Sequence, residues 1–364
     1  MSDPSPTDRT TRELFNDIMG YRPFDRMPVF HWAGWDETRR RWINEGLPTD
    51  QTEFAFFNAE PFWNMVNVEY NLVPRFEQEV FEETEQYRVY RDPSGVIKKE
   101  WLDHSGIPQY LDFTLKGAED WQQYKSRLQP DPVRFVGDLD HRIKQAESNG
   151  LPVGVGTAPM MGWIRNWMGV ENMSYLMYDR PNVYADMVDT MAELTCWGID
   201  QVVSHMSRPP DYGFGWEDIC GKNGPLVSPA IFDRCVAPGY RKIRRKLESY
   251  GVKLLGVDSD GLVEPLIANW LDAGVNLQFP IEIGTWQADP HALRRKFGKE
   301  LRILGGFDKR ALAHGRDAID AEIERRRALM AEGGFIILPD HIIPPDVPLE
   351  DYMYYLDRVR ELRF

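Results

Sequence analysis

The sequence predicts a (β/α)₈ barrel, and three observations carry that expectation. The chain has 364 residues, long enough for one large barrel or two ordinary domains. From about residue 150 onward, short apolar runs alternate with amphipathic helical stretches, the pattern of parallel strands joined by right-handed crossovers. No GxGxxG turn comes after an early strand, which counts against the doubly wound open sheet that the same alternation also allows.

About the first 15 residues read as a loose polar lead-in, and 22–32 (RPFDRMPVFHW) as a loop entering a buried strand at 28–32. The stretch 86–101 (QYRVYRDPSGVIKKEW) alternates apolar and polar residues around an Asp-Pro-Ser-Gly turn, predicting a β-hairpin excursion outside the main repeat. Strands are expected at 151–155, 253–257, 275–279, 301–305 and 335–338, with helices at 181–205, 228–250, 261–272, 290–298 and 317–332. Several helices end in glycine, at Gly251, Gly274 and Gly333-Gly334, as helix C-termini often do. No repeat, low-complexity block or linker divides the chain, so residues 1–364 are expected to form a single barrel domain.

Composition narrows the function classes. Hydrophobic residues make up 42%, enough for a sizeable core, yet no run approaches the roughly 18 apolar residues of a membrane span. The N-terminus lacks a basic stretch followed by an apolar one, so a cytoplasmic protein without a secretory signal is expected. A net charge of −14 argues against a nucleic-acid partner. Cys196, Cys220 and Cys235 show no CxxC spacing, which disfavours a disulfide framework or an all-thiolate zinc site and leaves structural thiols as the plain reading.

The ends of the late strands are more informative. The run 253–257 leads into Asp258-Ser259-Asp260-Gly261, 275–279 into Pro280-Ile281-Glu282, 301–306 into Phe307-Asp308, and 335–338 into Pro339-Asp340-His341. In a barrel all these strand ends open into one mouth, where such enzymes carry their chemistry. Carboxylates gathered there repel one another unless a cation or a bound proton offsets the charge. A metal or general acid–base work is therefore expected. Helix capping is the plainer reading for some of them: Asp258 or Asp260 for the helix near Leu262, and Asp308 for 309–313. Capping does not explain why Asp258 and Asp260 flank one serine, or why His341 comes directly after Asp340. Asp258, Asp260 and His341 form an oxygen and nitrogen ligand set, compatible with zinc foremost and also with iron or manganese. Glu282 and Asp308 are candidate proton-transfer groups, and Asp340 a candidate substrate contact. His31 ends the first strand and reaches the mouth unless it serves the core or a cap, and Glu69, just before Leu72-Val73-Pro74, is placed to face the same cavity. The stripe Met160, Met161, Trp163, Trp167, Met168 reads as core, part of which can line an apolar pocket through Met161. Arg165 faces a substrate anion or solvent, Trp32 comes after the first strand, and Trp216-Glu217-Asp218 forms a rim segment with Trp216 and Asp218 as the candidate contacts. His104, His141, His205, His291 and His314 read as surface residues.

Several segments together match a known pattern: Pro28-Val29-Phe30-His31-Trp32-Ala33-Gly34, Val153-Gly154-Val155-Gly156-Thr157-Ala158-Pro159, Gly224-Pro225-Leu226-Val227-Ser228-Pro229, Gly305-Gly306-Phe307-Asp308, Gly333-Gly334-Phe335-Ile336-Ile337 and Pro344-Pro345-Asp346-Val347-Pro348-Leu349-Glu350. In order and spacing, over nearly the whole length, the chain resembles the uroporphyrinogen decarboxylase superfamily, which also contains corrinoid-dependent methyltransferases. The resemblance implies a (β/α)₈ barrel. True uroporphyrinogen decarboxylases look like Arg-Gln-Ala-Gly-Arg-Tyr where this chain has His31-Trp32-Ala33-Gly34-Trp35-Asp36, and Glu69 matches the aspartate of their next segment. Without those arginines, a tetrapyrrole rich in carboxylates is not the expected substrate. The methyltransferase branch looks like His-x-Cys-Gly after a late strand and Gly-Cys after the last, residues that hold zinc. Those positions fall at Asp258-Ser259-Asp260-Gly261 and Asp340-His341.

Replacing thiolates by carboxylates makes a harder site, suited to an oxygen- or nitrogen-bearing substrate. The implied activity is methyl transfer from a small methoxylated or methylated substrate to a corrinoid protein. The metal would act as Lewis acid, and Asp308 or Glu282 as the acid for the leaving oxygen. The corrinoid would arrive on a partner protein. A decarboxylase or lyase acting on a small acid, with Arg165 as its cation, and a non-catalytic ligand-binding barrel are the alternatives.

Overall fold

The computed structural model describes residues 9–103 and 106–364, so His104 lies outside the described residues. Its strands are β1 (Phe30–His31), β2 (Glu60–Pro61), β3 (Met65–Val66), β4 (Glu79–Glu83), β5 (Tyr87–Arg91), β6 (Val96–Trp101), β7 (Gln109–Phe113), β8 (Gly154–Gly156), β9 (Tyr212–Trp216), β10 (Cys220–Gly221), β11 (Gly224–Pro225), β12 (Leu255–Asp258), β13 (Leu277–Phe279), β14 (Arg302–Leu304) and β15 (Phe335–Ile336). Seven of them form one sheet in the order β15-β14-β13-β12-β9-β8-β3, every pair parallel. β1 pairs in parallel with β2, and just beyond it Gly34 bridges to Ile343 just beyond β15. The eighth place is thus taken by β1, and the sheet curls into a (β/α)₈ barrel.

Small and large residues alternate inside. A Cβ at Gly256 on β12 would fall 2.6 Å from the Phe214 ring on β9, so glycine there makes room for an aromatic interior. Phe214 lies 4.2 Å from Trp63, which lies 4.0 Å from Phe62, and Phe279 and Trp32 complete the cluster. Such stacking in a dry interior is a large share of what holds a barrel.

The expected late strands all form as shorter runs, β8 and β12 each ending one residue later than expected. The lead-in is corrected: Thr11–Met19 is a helix. Its start is fixed by a capping box between Thr10 and Glu13, and Leu14, Phe15, Ile18 and Met19 bury one face beneath the barrel. Asp211, just before β9, anchors it by accepting from Arg12 Nε at 2.8 Å and Asn16 Nδ2 at 2.7 Å. The single helix expected over 228–250 is broken into Pro229–Ile231, a π-turn at Phe232–Val236 and a helix Ala237–Ser249. Pro238 supplies no backbone N–H, and the wider turn before it absorbs that loss.

The hairpin at 86–101 is β5 and β6, and it belongs to a larger antiparallel sheet, β4-β5-β6-β7. Asp92 shapes its turn by accepting from the backbone N–H of Ser94 at 2.8 Å and Val96 at 3.0 Å. The outer strands β4 and β7 bury almost nothing, so their sequences carry no alternation to announce them. Phe113 of β7 packs against Gly169, which brings the sheet beside the mouth. Among the described residues, no helix is long and apolar enough to cross a membrane.

Candidate functional site

The site is built where β12, β13 and the segment after β15 end. Asp258 closes β12, and the next peptide is held inward as Ser259 N–H donates to the Phe279 carbonyl at 2.8 Å. Gly261 then turns the chain with φ +80°, where a Cβ would fall 2.6 Å from the Cys220 carbonyl oxygen. Its N–H donates to Glu282 Oε2 at 2.6 Å. Asp260 is thereby swung to the rim, 3.3 Å from His341 Nε2. Asp260, Glu282 and His341 each offer one ligand atom, and the three atoms lie within 4.8 Å of one another. A single ion with bonds of about 2.1 Å can reach all three after small side-chain shifts. His341 Nδ1 is buried with no hydrogen-bond partner among the described residues, an unpaired group that a bound ion or substrate can satisfy.

The ligand set expected from sequence was Asp258, Asp260 and His341. Geometry brings Glu282 into the group instead, while the Asp258 carboxyl lines a cavity of about 320 Å³ walled by Trp63, Trp163, Phe214 and Trp216, with Asn67 and Glu69 as polar members. Burial, then the charges of Asp260 and Asp218, push the Asp258 carboxyl up to about 8. Trp216 also borders a larger cleft of about 1290 Å³, shared by Tyr110 and Phe113 of β7, Arg165, Asp218 and Asp260. Asp218 stands in the left-handed region at φ +49°. Burial and then Asp260 raise its carboxyl above the usual range, and Arg165 works the other way. The Arg165 guanidinium donates to the Asp218 carbonyl and to Asn166 Oδ1 at 3.2 Å, so it is spent on holding the rim.

Trp32 lies 5.8 Å from the His341 ring, closing one side of the donor group. Glu69 lines the smaller cavity, held by Arg75 at 2.7 Å and Asn71 N–H at 2.9 Å.

Four other expectations are corrected. His31 is buried away from the mouth, with Nδ1 2.9 Å from the Tyr352 hydroxyl and Nε2 3.0 Å from Glu53. Side chains alternate along a strand, so His31 faces the helices and Trp32 faces inward. Asp308 caps the turn Lys309–Ala313 and grips Arg310 with contacts of 2.8 and 2.7 Å, lining an outer groove with Glu322 and Arg325. The capping reading holds for it, and a role in the mouth does not. Asp340 is 2% exposed and accepts from the N–H of Ile283 at 2.6 Å and Lys309 at 3.0 Å, stitching two loops. Met161 is fully buried core.

Sequence reasoning passed over Glu217, naming its neighbours on either side. Its buried carboxylate accepts from the N–H groups of Met161 and Gly162, each at 3.0 Å, and from the Met160 N–H and the Tyr240 hydroxyl. It therefore fixes the start of the helix Gly162–Asp179, which carries Trp163 and Arg165 into the mouth. The signal was the triplet Trp216-Glu217-Asp218 at a strand end, but nothing local says which of the three turns inward.

The fold and site define a parallel barrel with an acidic, histidine-bearing mouth. The uroporphyrinogen decarboxylase (URO-D) family model matches residues 103–362, and the chain belongs to that family. A uroporphyrinogen decarboxylase of Syntrophotalea carbinolica is 24% identical over 250 residues, covering 65% of this chain and 67% of that protein. One from Sphingopyxis alaskensis is 26% identical over 200 residues, half of each chain. The chain thus spans between half and two thirds of the curated relatives it matches. A methyltransferase from Methanosarcina mazei has the same fold, with a TM-score of 0.63 at 15% identity, over 97% of this chain and 99% of that one.

Proposed function

We propose that this member of the family is a metal-assisted methyltransferase, taking a methyl group from a small methoxylated or methylated substrate and passing it to a corrinoid carried by a partner protein. The observation that supports it most is the convergence of Asp260, Glu282 and His341 beside an aromatic-walled cavity. A divalent cation held there, zinc or else iron or manganese, would supply Lewis-acid polarisation of an ether oxygen. Trp63, Trp163 and Phe214 form walls suited to a flat, uncharged group. Asp258 lies on the same wall and would hand a proton to the leaving oxygen, the role expected of Asp308 or Glu282. The larger cleft at the rim gives a macromolecular partner access. A multiply anionic porphyrinogen would meet Asp218 and Asp260 at the rim with Arg165 already engaged, which disfavours the reaction of the curated relatives.

The test is turnover with a panel of small methyl ethers and a reduced corrinoid protein, with both the demethylated alcohol and carbon dioxide measured. Alcohol formed only when the corrinoid protein is present supports the reading. Carbon dioxide from a carboxylated substrate without the corrinoid protein would move the decarboxylase or lyase ahead.

A further inference from the structure

The end of the barrel opposite the mouth carries a second, oppositely charged cavity. It measures about 560 Å³ and lies at the N-terminal ends of β13 and β14, lined by the cations Arg244, Lys299 and Arg302, by Tyr21 and Asn276, and by the carboxylates Glu248 and Glu300. Three cations surround the Tyr21 ring: Lys299 Nζ lies 5.0 Å from its centroid, Arg302 Cζ 5.3 Å and Arg294 Cζ 5.5 Å. On a chain of net charge −14, such a gathering is unusual enough to need a cause.

The carboxylates nearby neutralise only part of it. Glu248 takes Arg244 at 2.8 Å and Glu332 takes Arg294 at 3.0 Å. Lys299 and Arg302 have no carboxylate partner among the described residues, and Arg294 Nε is buried without a hydrogen-bond partner. Arg302 spends Nε on the Met19 carbonyl and Nη1 on the Glu300 carbonyl, and Nη2 has no acceptor among the described residues. Burial first holds the Arg302 guanidinium below its ordinary range; Tyr21 and Glu300 work the other way, and Arg244 and Arg294 add to the lowering. Tyr21 itself stands in the left-handed region at φ +54°, with its hydroxyl donating to the Lys299 carbonyl at 2.8 Å. An unfavourable backbone angle of this kind persists only where its surroundings hold it.

We infer that this cavity binds a small phosphate-bearing molecule, held by Lys299 and Arg302. A planar guanidinium fork beside a free ammonium fits the oxygens of a tetrahedral dianion better than a single carboxylate. The ligand would join the turn after the Thr11–Met19 helix to β14 and to the helix Ala237–Ser249, tightening the base of the barrel. The cavity is at the far end from Asp260, Glu282 and His341, so phosphate binding here and methyl transfer at the mouth are independent of each other.

The test is calorimetric titration of the full-length protein with pyrophosphate, at ionic strength matched with sodium chloride. Lys299→Ala is compared with Lys144→Ala, which removes the same charge from an exposed helix position. The Lys299 side chain is exposed with its ammonium over the Tyr21 ring, so its removal leaves the fold intact. Saturable binding at one equivalent is expected, weakened about tenfold by Lys299→Ala and unchanged by Lys144→Ala, as loss of one charge-assisted contact implies. Heat that does not saturate, or equal affinity in the wild type and Lys299→Ala, would overturn the inference.

Discussion

Asp258 and Asp260 stand two residues apart and face different surroundings: one looks into an aromatic-walled cavity, the other onto the rim toward His341. In metal-stripped protein the raised value near 8 for Asp258 means the folded state binds more protons than the unfolded chain across roughly pH 4 to 8. Stability from this group is therefore complete at acid pH and is lost as pH rises through about 8. Asp258→Asn should flatten that slope and melt at least ~2 °C above the wild type at pH 9, the two converging near pH 4. Parallel melting curves across that range would contradict the assignment. Glu217→Gln should cost roughly 1–3 kcal/mol in urea denaturation, because an amide NH₂ would confront backbone donors that now meet a carboxylate. An unchanged midpoint would show that the carboxylate is not what fixes the helix start. At this scale Asp258, Asp260, Glu282 and His341 were legible, since apolar runs mark strand ends and strand ends mark the mouth. His31 was not, because a strand of two residues offers no alternation from which to read its facing.

Whole elements were legible where burial imposes a pattern. The late strands and the helices between them repeat an apolar period, and the Asp-Pro-Ser-Gly turn announced β5 and β6. β4 and β7 escaped because they hold their places by backbone pairing rather than burial. The Thr11–Met19 helix escaped for a different reason: its polar opening hid the capping box and the apolar face behind it. Asp92 holds the excursion's central turn through two backbone donors, and the Tyr124 and Thr114 hydroxyls hold the Ser94 and Gly95 carbonyls. Asp92→Ala should speed amide exchange across 79–113 and cost roughly 1 kcal/mol, with the barrel strands protected as before. Exchange rising throughout the protein would mean that the sheet and the barrel unfold together.

Across the whole molecule, charge is divided between two ends. Carboxylates gather at the C-terminal mouth, and cations gather at the N-terminal base around Tyr21. The barrel itself was legible from alternation and length, whereas its closure through Gly34 and Ile343 rests on a single backbone bridge that no sequence pattern marks. Which three donors converge was beyond the sequence, because that depends on the Gly261 turn and on where β13 delivers Glu282. The measurement that bears most directly on the mouth is metal content by elemental analysis, after reconstitution with zinc, iron and manganese in turn. Wild type and Asp258→Asn should each hold about one ion per chain, whereas Glu282→Gln and His341→Ala should hold none or far less. No metal in any of the four, or metal lost from Asp258→Asn but kept by Glu282→Gln, would contradict a site made of Asp260, Glu282 and His341.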